Sequence, residues 1–156
     1  MFFYCLLIIF IAYRWDKPGY FDWVFAGYFF CISISLFFNP IFTAGILKKY
    51  GVTLIYSSLF IAAFVPPFIR MDPFTMHYAK KTAPEEFWEE PLFFKINKIM
   101  TFTWAAMFGI CAVISLYPSI ITRAALPIGI IAGFGLPFNL RFPNFYLKRQ
   151  GISLPV

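Results

Sequence analysis

From Val52 to Ile69 the sequence runs without one charged side chain. A helix through a hydrocarbon core about 30 Å thick needs about 20 such residues, so this stretch is close to a span by itself. Four more apolar segments read the same way: Met1 to Tyr13, Phe21 to Phe38, Ile96 to Tyr117 and Ala124 to Phe138. A soluble sphere could not hide that much apolar side chain. The chain is 61% hydrophobic and 13% charged, against roughly 45–50% and 25% in a soluble domain. The segments therefore predict an all-α, polytopic integral membrane helical bundle with about five transmembrane helices. It forms a single transmembrane domain over residues 1–156. The first and last segments are short, so four spans plus one interfacial or re-entrant piece is the alternative.

The 23 phenylalanines and nine tyrosines suit lipid contact and the headgroup belt. "MFFYCLLIIFIAYRWDK" has its charges after the apolar run and no small-residue cleavage site, so it reads as a retained span rather than a secretory leader. Cys5, Cys31 and Cys111 sit inside apolar runs with no CxxC spacing, which predicts buried free thiols. "DKPGY", "KKYG" and "YPSIITR" read as the joints between spans one and two, two and three, and four and five.

Net charge is +6. In a membrane chain such an excess marks cytoplasmic ends before it suggests nucleic acid. With five spans, Arg14, Lys17, Arg70, Lys80, Lys81, Lys95, Lys98, Arg141, Lys148 and Arg149 fall on one side. Lys48, Lys49 and Arg123 fall on the other. The bias predicts a cytoplasmic 70–95 connection, a cytoplasmic C-terminus and an outside N-terminus.

Small residues recur at four-residue spacing: Gly27 with Cys31 and Ser35, Ala105 with Gly109, and Ala125 with Gly129 and Gly133. In lipid such faces let helices approach closely, either within the bundle or against a partner subunit. The fifth span, with the longest such motif, is the best candidate for an outside partner.

Polar chemistry gathers in "HYAKKTAPEEFWEEPLFFKIN", which holds the one histidine and four of the seven acidic residues. Thr82 and Glu85 have the spacing of a capping box, and predict a short amphipathic interfacial helix between spans three and four. The helix dipole would offset Glu85 and Glu86. The glutamates lack the Glu-x-x-His pattern of a carboxylate metal centre, so no metal ligands are assigned. His77 has no partner in sequence and reads as an interfacial residue bonding locally. Asn97, Thr101 and Trp104 share a face of the fourth span. They act either as glue between helices or as one wall of a polar cavity for a headgroup or quinone. The candidate binding residues are His77, Tyr78, Trp88, Asn97, Thr101 and Trp104; no catalytic residue is assigned.

The stretch Pro73 to Gly109 resembles one found in small bacterial inner-membrane proteins. Pro73, Phe74, Thr75, Tyr78, Ala79, Pro84, Glu85, Trp88, Pro91, Phe93, Asn97, Thr101, Trp104 and Ala105 carry the resemblance. It implies a bacterial inner (cytoplasmic) membrane and no catalytic residues. The sequence then supports a non-catalytic accessory or structural subunit of a larger membrane complex. Its partners would be membrane lipids and other membrane protein subunits, with no nucleic acid. No cofactor is expected beyond lipid or quinone contact. A small transporter or a lipid- or quinone-binding protein is the alternative, followed by a membrane enzyme using His77 and the glutamates.

Overall fold

The computed structural model describes residues 20–69 and 71–150. The expected first span, Met1 to Tyr13, lies outside them, as do Arg14, Lys17 and Arg70. The described chain is helical: α1 (Tyr20–Phe38), α2 (Pro40–Phe64) with a 3₁₀ turn (Pro66–Phe68), and α3 (Phe74–Ala79). A 3₁₀ turn (Glu85–Phe87), α4 (Pro91–Ile114) and α5 (Ile121–Arg149) follow. Three helices are long and apolar enough to cross a membrane: Pro40–Phe68, Pro91–Ile114 and Ile121–Arg149. α1 is a shorter apolar helix. Three such helices, rather than five, are what the described residues supply.

The joint between the second and third expected spans moves. "KKYG" is no turn; α2 runs through it, since Lys and Tyr are tolerated in helices and Gly51 costs only about 1 kcal/mol. The break comes at Asn39. The proline after it disfavours helical backbone, and Asn39 sits at φ −145° and ψ 76°. Its side chain then accepts from Phe42 N at 3.3 Å, capping α2, whose first residue is Pro40. The chain folds back here. Thr43 Oγ1 donates to Ser35 O at 3.0 Å, and Tyr28 OH donates to Gly51 O at 3.2 Å, 23 residues along the chain. At the tip Phe37, Phe38 and Ile41 are 83%, 79% and 88% exposed, so nothing in the described chain covers them.

α2 and α4 pack antiparallel. Thr53 meets Ser115 (Oγ1 to Oγ, 2.8 Å), and Phe64 meets Phe102 at a centroid distance of 5.9 Å. Between them lies the core: Leu59, Ala62 and Ala63 from α2, Ala105 and Phe108 from α4, and Phe74 from α3. Ala63 and Ala105 are 0% and 1% exposed, and side chains this small let the two backbones approach closely. Gly109 does the same work: a Cβ there would stand 3.3 Å from Phe60 Cδ2.

α5 returns beside α4, and its two π-turns, Ile121–Ala125 and Ile131–Gly135, have a local cause. A proline follows each, at Pro127 and Pro137. A proline ring clashes with the carbonyl four residues back and lacks an N–H to bond it. The helix answers by bonding one residue further: Leu126 N donates to Ile121 O, and Leu136 N to Ile131 O. The pattern Ile, four residues, Leu, Pro thus occurs twice, ten residues apart, in "ITRAALP" and "IAGFGLP".

The antiparallel packing sorts charge to two ends. Lys80, Lys81, Lys95, Lys98, Arg141, Lys148 and Arg149 lie at the end that holds the connection after α2. Lys48, Lys49 and Arg123 lie at the other, where Arg123 Nη1 and Nη2 donate to Lys48 O (3.3 Å) and Lys49 O (2.7 Å). Arg123 and Arg141 are roughly 27 Å apart along α5 at ~1.5 Å per residue. That is about one hydrocarbon core. The α1–α2 tip, nine residues before Lys48, projects roughly 13 Å beyond this basic layer.

Candidate functional site

The polar connection is folded down onto α4. α3 is six residues long and starts after Pro73, whose extended backbone (ψ 138°) turns the chain in. Its Phe74, Thr75 and Met76 are buried. Thr75 is the fastener: its Oγ1 donates to Asn97 O at 2.8 Å and lies 3.0 Å from Thr101 Oγ1. With Thr75 donating to the carbonyl, the Thr101 hydroxyl donates to Thr75. Thr75 N also points at Thr101 Oγ1, at 3.5 Å. Asn97 and Thr101 are 2% and 0% exposed. Asn97 Nδ2 donates back to Phe93 O at 2.9 Å, while Asn97 Oδ1 is buried with no partner among the described residues.

The expected candidates divide among different tasks. Asn97 and Thr101 come together around Thr75. His77 and Tyr78 adjoin on α3, their rings edge to face at 5.4 Å. Tyr78 OH donates to Asp22 Oδ1 at 3.1 Å, tying the start of α1 to this end. His77 Nε2 is buried without a partner among the described residues. Trp88 stands apart. Its indole N–H donates to Ala83 O at 3.0 Å, and Lys80 Nζ lies 5.7 Å above its ring. Trp104 serves another interface, donating to Asn139 Oδ1 of α5 at 3.3 Å.

The capping box does not form. Thr82 Oγ1 turns back to donate to Ala79 O at 3.2 Å, closing α3, and Pro84 precedes the 3₁₀ turn with no side-chain cap. Three residues in a 3₁₀ turn cannot make the expected amphipathic helix. The glutamates that meet a helix N-terminus are Glu89 and Glu90, before Pro91, where the α4 dipole favours them. Glu85 and Glu86 lie in the turn instead.

Of the small-residue positions, Ala105 and Gly109 face the bundle. Gly27, Gly129 and Gly133 would each carry a Cβ into open space, and Ala125 is exposed. The inward stripe of α5 is Pro127, Ile131 and Gly135: Pro127 and Gly135 are buried, and Ile131 packs on the core. A Cβ on Gly135 would stand 2.9 Å from Trp104 Cη2. Gly135 and Asn139 were not singled out in the sequence, and Thr75 stood only among the residues of the resemblance, not among the candidate binding residues. The Asn139 side chain and the doubled Leu-Pro pattern were the available hints.

Hydrogen bonds fasten this end to α4; among the described residues, no three His, Cys, Asp or Glu groups gather that could hold a metal ion. No protein-family model, curated protein or solved structure matches the chain.

Proposed function

We propose that the protein is a non-catalytic subunit of a larger membrane complex, held in place by the outward face of α5. One observation carries this reading. α5 is long enough to cross a membrane, yet only 11% of its most apolar window is buried inside the chain, against 44% for α4. Its outward stripe Ala125 and Gly129 is flush, with open space where the Gly129 side chain would be. Apolar surface gains nothing by leaving lipid for another helix. Small residues gain by close backbone packing, and such a face suits a neighbouring helix. In this reading the end with Lys80, Lys81, Lys95, Lys98, Arg141, Lys148 and Arg149 faces the cytoplasm. The membrane is a bacterial inner membrane.

The test is extraction from native membranes in mild detergent, chemical crosslinking and mass spectrometry. The expected result is a defined integral membrane partner crosslinked to α5. The double variant Ala125→Leu with Gly129→Leu loses that partner while its thermal unfolding is unchanged. A chain that runs alone, or a partner indifferent to both leucines, sinks the reading.

A further inference from the structure

The second half of the α5 surface differs from the first. Here Gly133, Phe134, Pro137, Phe138, Arg141, Phe142 and Phe145 line a shallow, widely open groove of about 350 Å³ along α5. Phe134, Phe138 and Phe142 stack down its wall, with centroids 5.8 and 4.7 Å apart. Gly133 leaves its floor open, with nothing within 4 Å of a Cβ. Arg141 is the groove's one cation.

We infer that this groove holds one anionic phospholipid, its acyl chain along the phenyl wall and its phosphate against Arg141. Three features select that occupant. The first is length. Gly133 and Arg141 are roughly 12 Å apart along the helix. Half of a ~30 Å core, the depth one leaflet's chain occupies, is about 15 Å. The second is level. Arg141 closes the uncharged stretch of α5 that begins after Arg123, so its guanidinium stands where headgroups stand. The third is charge. α5 carries Arg123, Arg141, Lys148 and Arg149 and no acidic residue. Among the described residues no carboxylate pairs with Arg141 to neutralise it. Lys148, seven residues on, returns to the same face two turns beyond and supplies a second cation. A guanidinium offers paired N–H groups to phosphate oxygens. The groove does not depend on the subunit reading, because it lies beyond Ala125 and Gly129 and uses neither.

The test uses the full chain in mixed micelles containing equal amounts of phosphatidylglycerol and phosphatidylethanolamine. Bound lipid is counted by native mass spectrometry. The expected result is one phosphatidylglycerol retained per chain, at least about fivefold over phosphatidylethanolamine. Arg141→Gln removes that preference. Arg141→Lys keeps part of it, and Arg123→Gln at the opposite end leaves it intact. Arg141 is exposed, so its variants keep the thermal unfolding of the parent, which is measured alongside. Equal retention of both lipids overturns the inference, as does a preference that survives Arg141→Gln. Displacement by inorganic phosphate would make the site one for free anions and also overturns it. So does an acidic protein segment that crosslinks at Phe138 in place of lipid.

Discussion

α4 and α5 are both long and apolar enough to cross a membrane, and they lie side by side. Yet 44% of one window is buried and 11% of the other. Hydrophobicity does not separate them, because lipid accepts either surface. What separates them is the placement of small and hydroxyl-bearing residues. α4 turns Asn97, Thr101, Ala105 and Cys111 toward its neighbours, all at 2% exposure or less. α5 turns in only a narrow stripe, Pro127, Ile131 and Gly135, and leaves Ala125, Gly129 and Gly133 outside. In a membrane the buried face is chosen by how close backbones can come and which polar groups they must satisfy.

The comparison breaks most sharply at a pair of alanines. Ala105→Leu forces extra methylene groups between Leu59, Ala62 and Phe108, and overpacking of that kind costs about 1–3 kcal/mol. Ala125→Leu adds the same groups to an exposed site and stays within about 0.5 kcal/mol of the parent. Thermal unfolding in detergent, followed by tryptophan fluorescence, reads both. Similar losses in the two variants would mean that α5 is packed on its outward face within a single chain.

The second test removes one polar contact from the buried side. Thr101→Val keeps the shape and deletes a hydroxyl that serves both Thr75 Oγ1 and Thr75 N. The expected loss is about 1 kcal/mol. It comes with faster proteolysis of the connection at 80–90, because α3 is then held by Phe74 and the Thr75 bond to Asn97 O without the Thr101 hydroxyl. A variant with unchanged proteolysis would show that the Thr101 hydroxyl plays no part in seating α3.

Which parts of this were legible beforehand follows from the same physics. The end of α1 at Phe38 and the body of α4 were readable, since apolar runs stop where charge or proline begins. Asn97 and Thr101 were readable as a pair, because a spacing of four puts them on one face. Their partner Thr75 was not: it lies 22 and 26 residues away, and no periodicity connects a six-residue helix to that face. The joint was misplaced because a glycine after two lysines looks like a stop, while a helix that is packed elsewhere carries it. The proline after Asn39 was the stronger sign. The stripe of α5 was ambiguous in principle. Ala125, Gly129, Gly133 and Pro127, Ile131, Gly135 have equal spacing and differ by two residues, roughly 200° around a helix. Composition cannot say which of the two faces in.

The π-turns decide what that inward stripe can reach, and Pro137→Ala isolates their part. Alanine removes the clash with the Gly133 carbonyl and restores the N–H that could bond it, so α-helical pairing becomes available across 131–137. Closing one π-turn takes one residue out of the register. It rotates everything beyond by roughly 100° relative to the first half of the helix. Asn139 then leaves Trp104, while Ile131 keeps its place on the core. Stability changes little, within about 0.5 kcal/mol, because the π-turn already accommodates the ring. The measurable consequence is geometric. Trp104→Cys and Asn139→Cys, in a chain whose native cysteines are replaced by alanine, should crosslink through a short thiol reagent when Pro137 is present. They should fail to do so with alanine there. Crosslinking that persists would mean that packing against α4, rather than the proline, sets the register. The inward position of Gly135 would then survive any change at the Leu-Pro repeat.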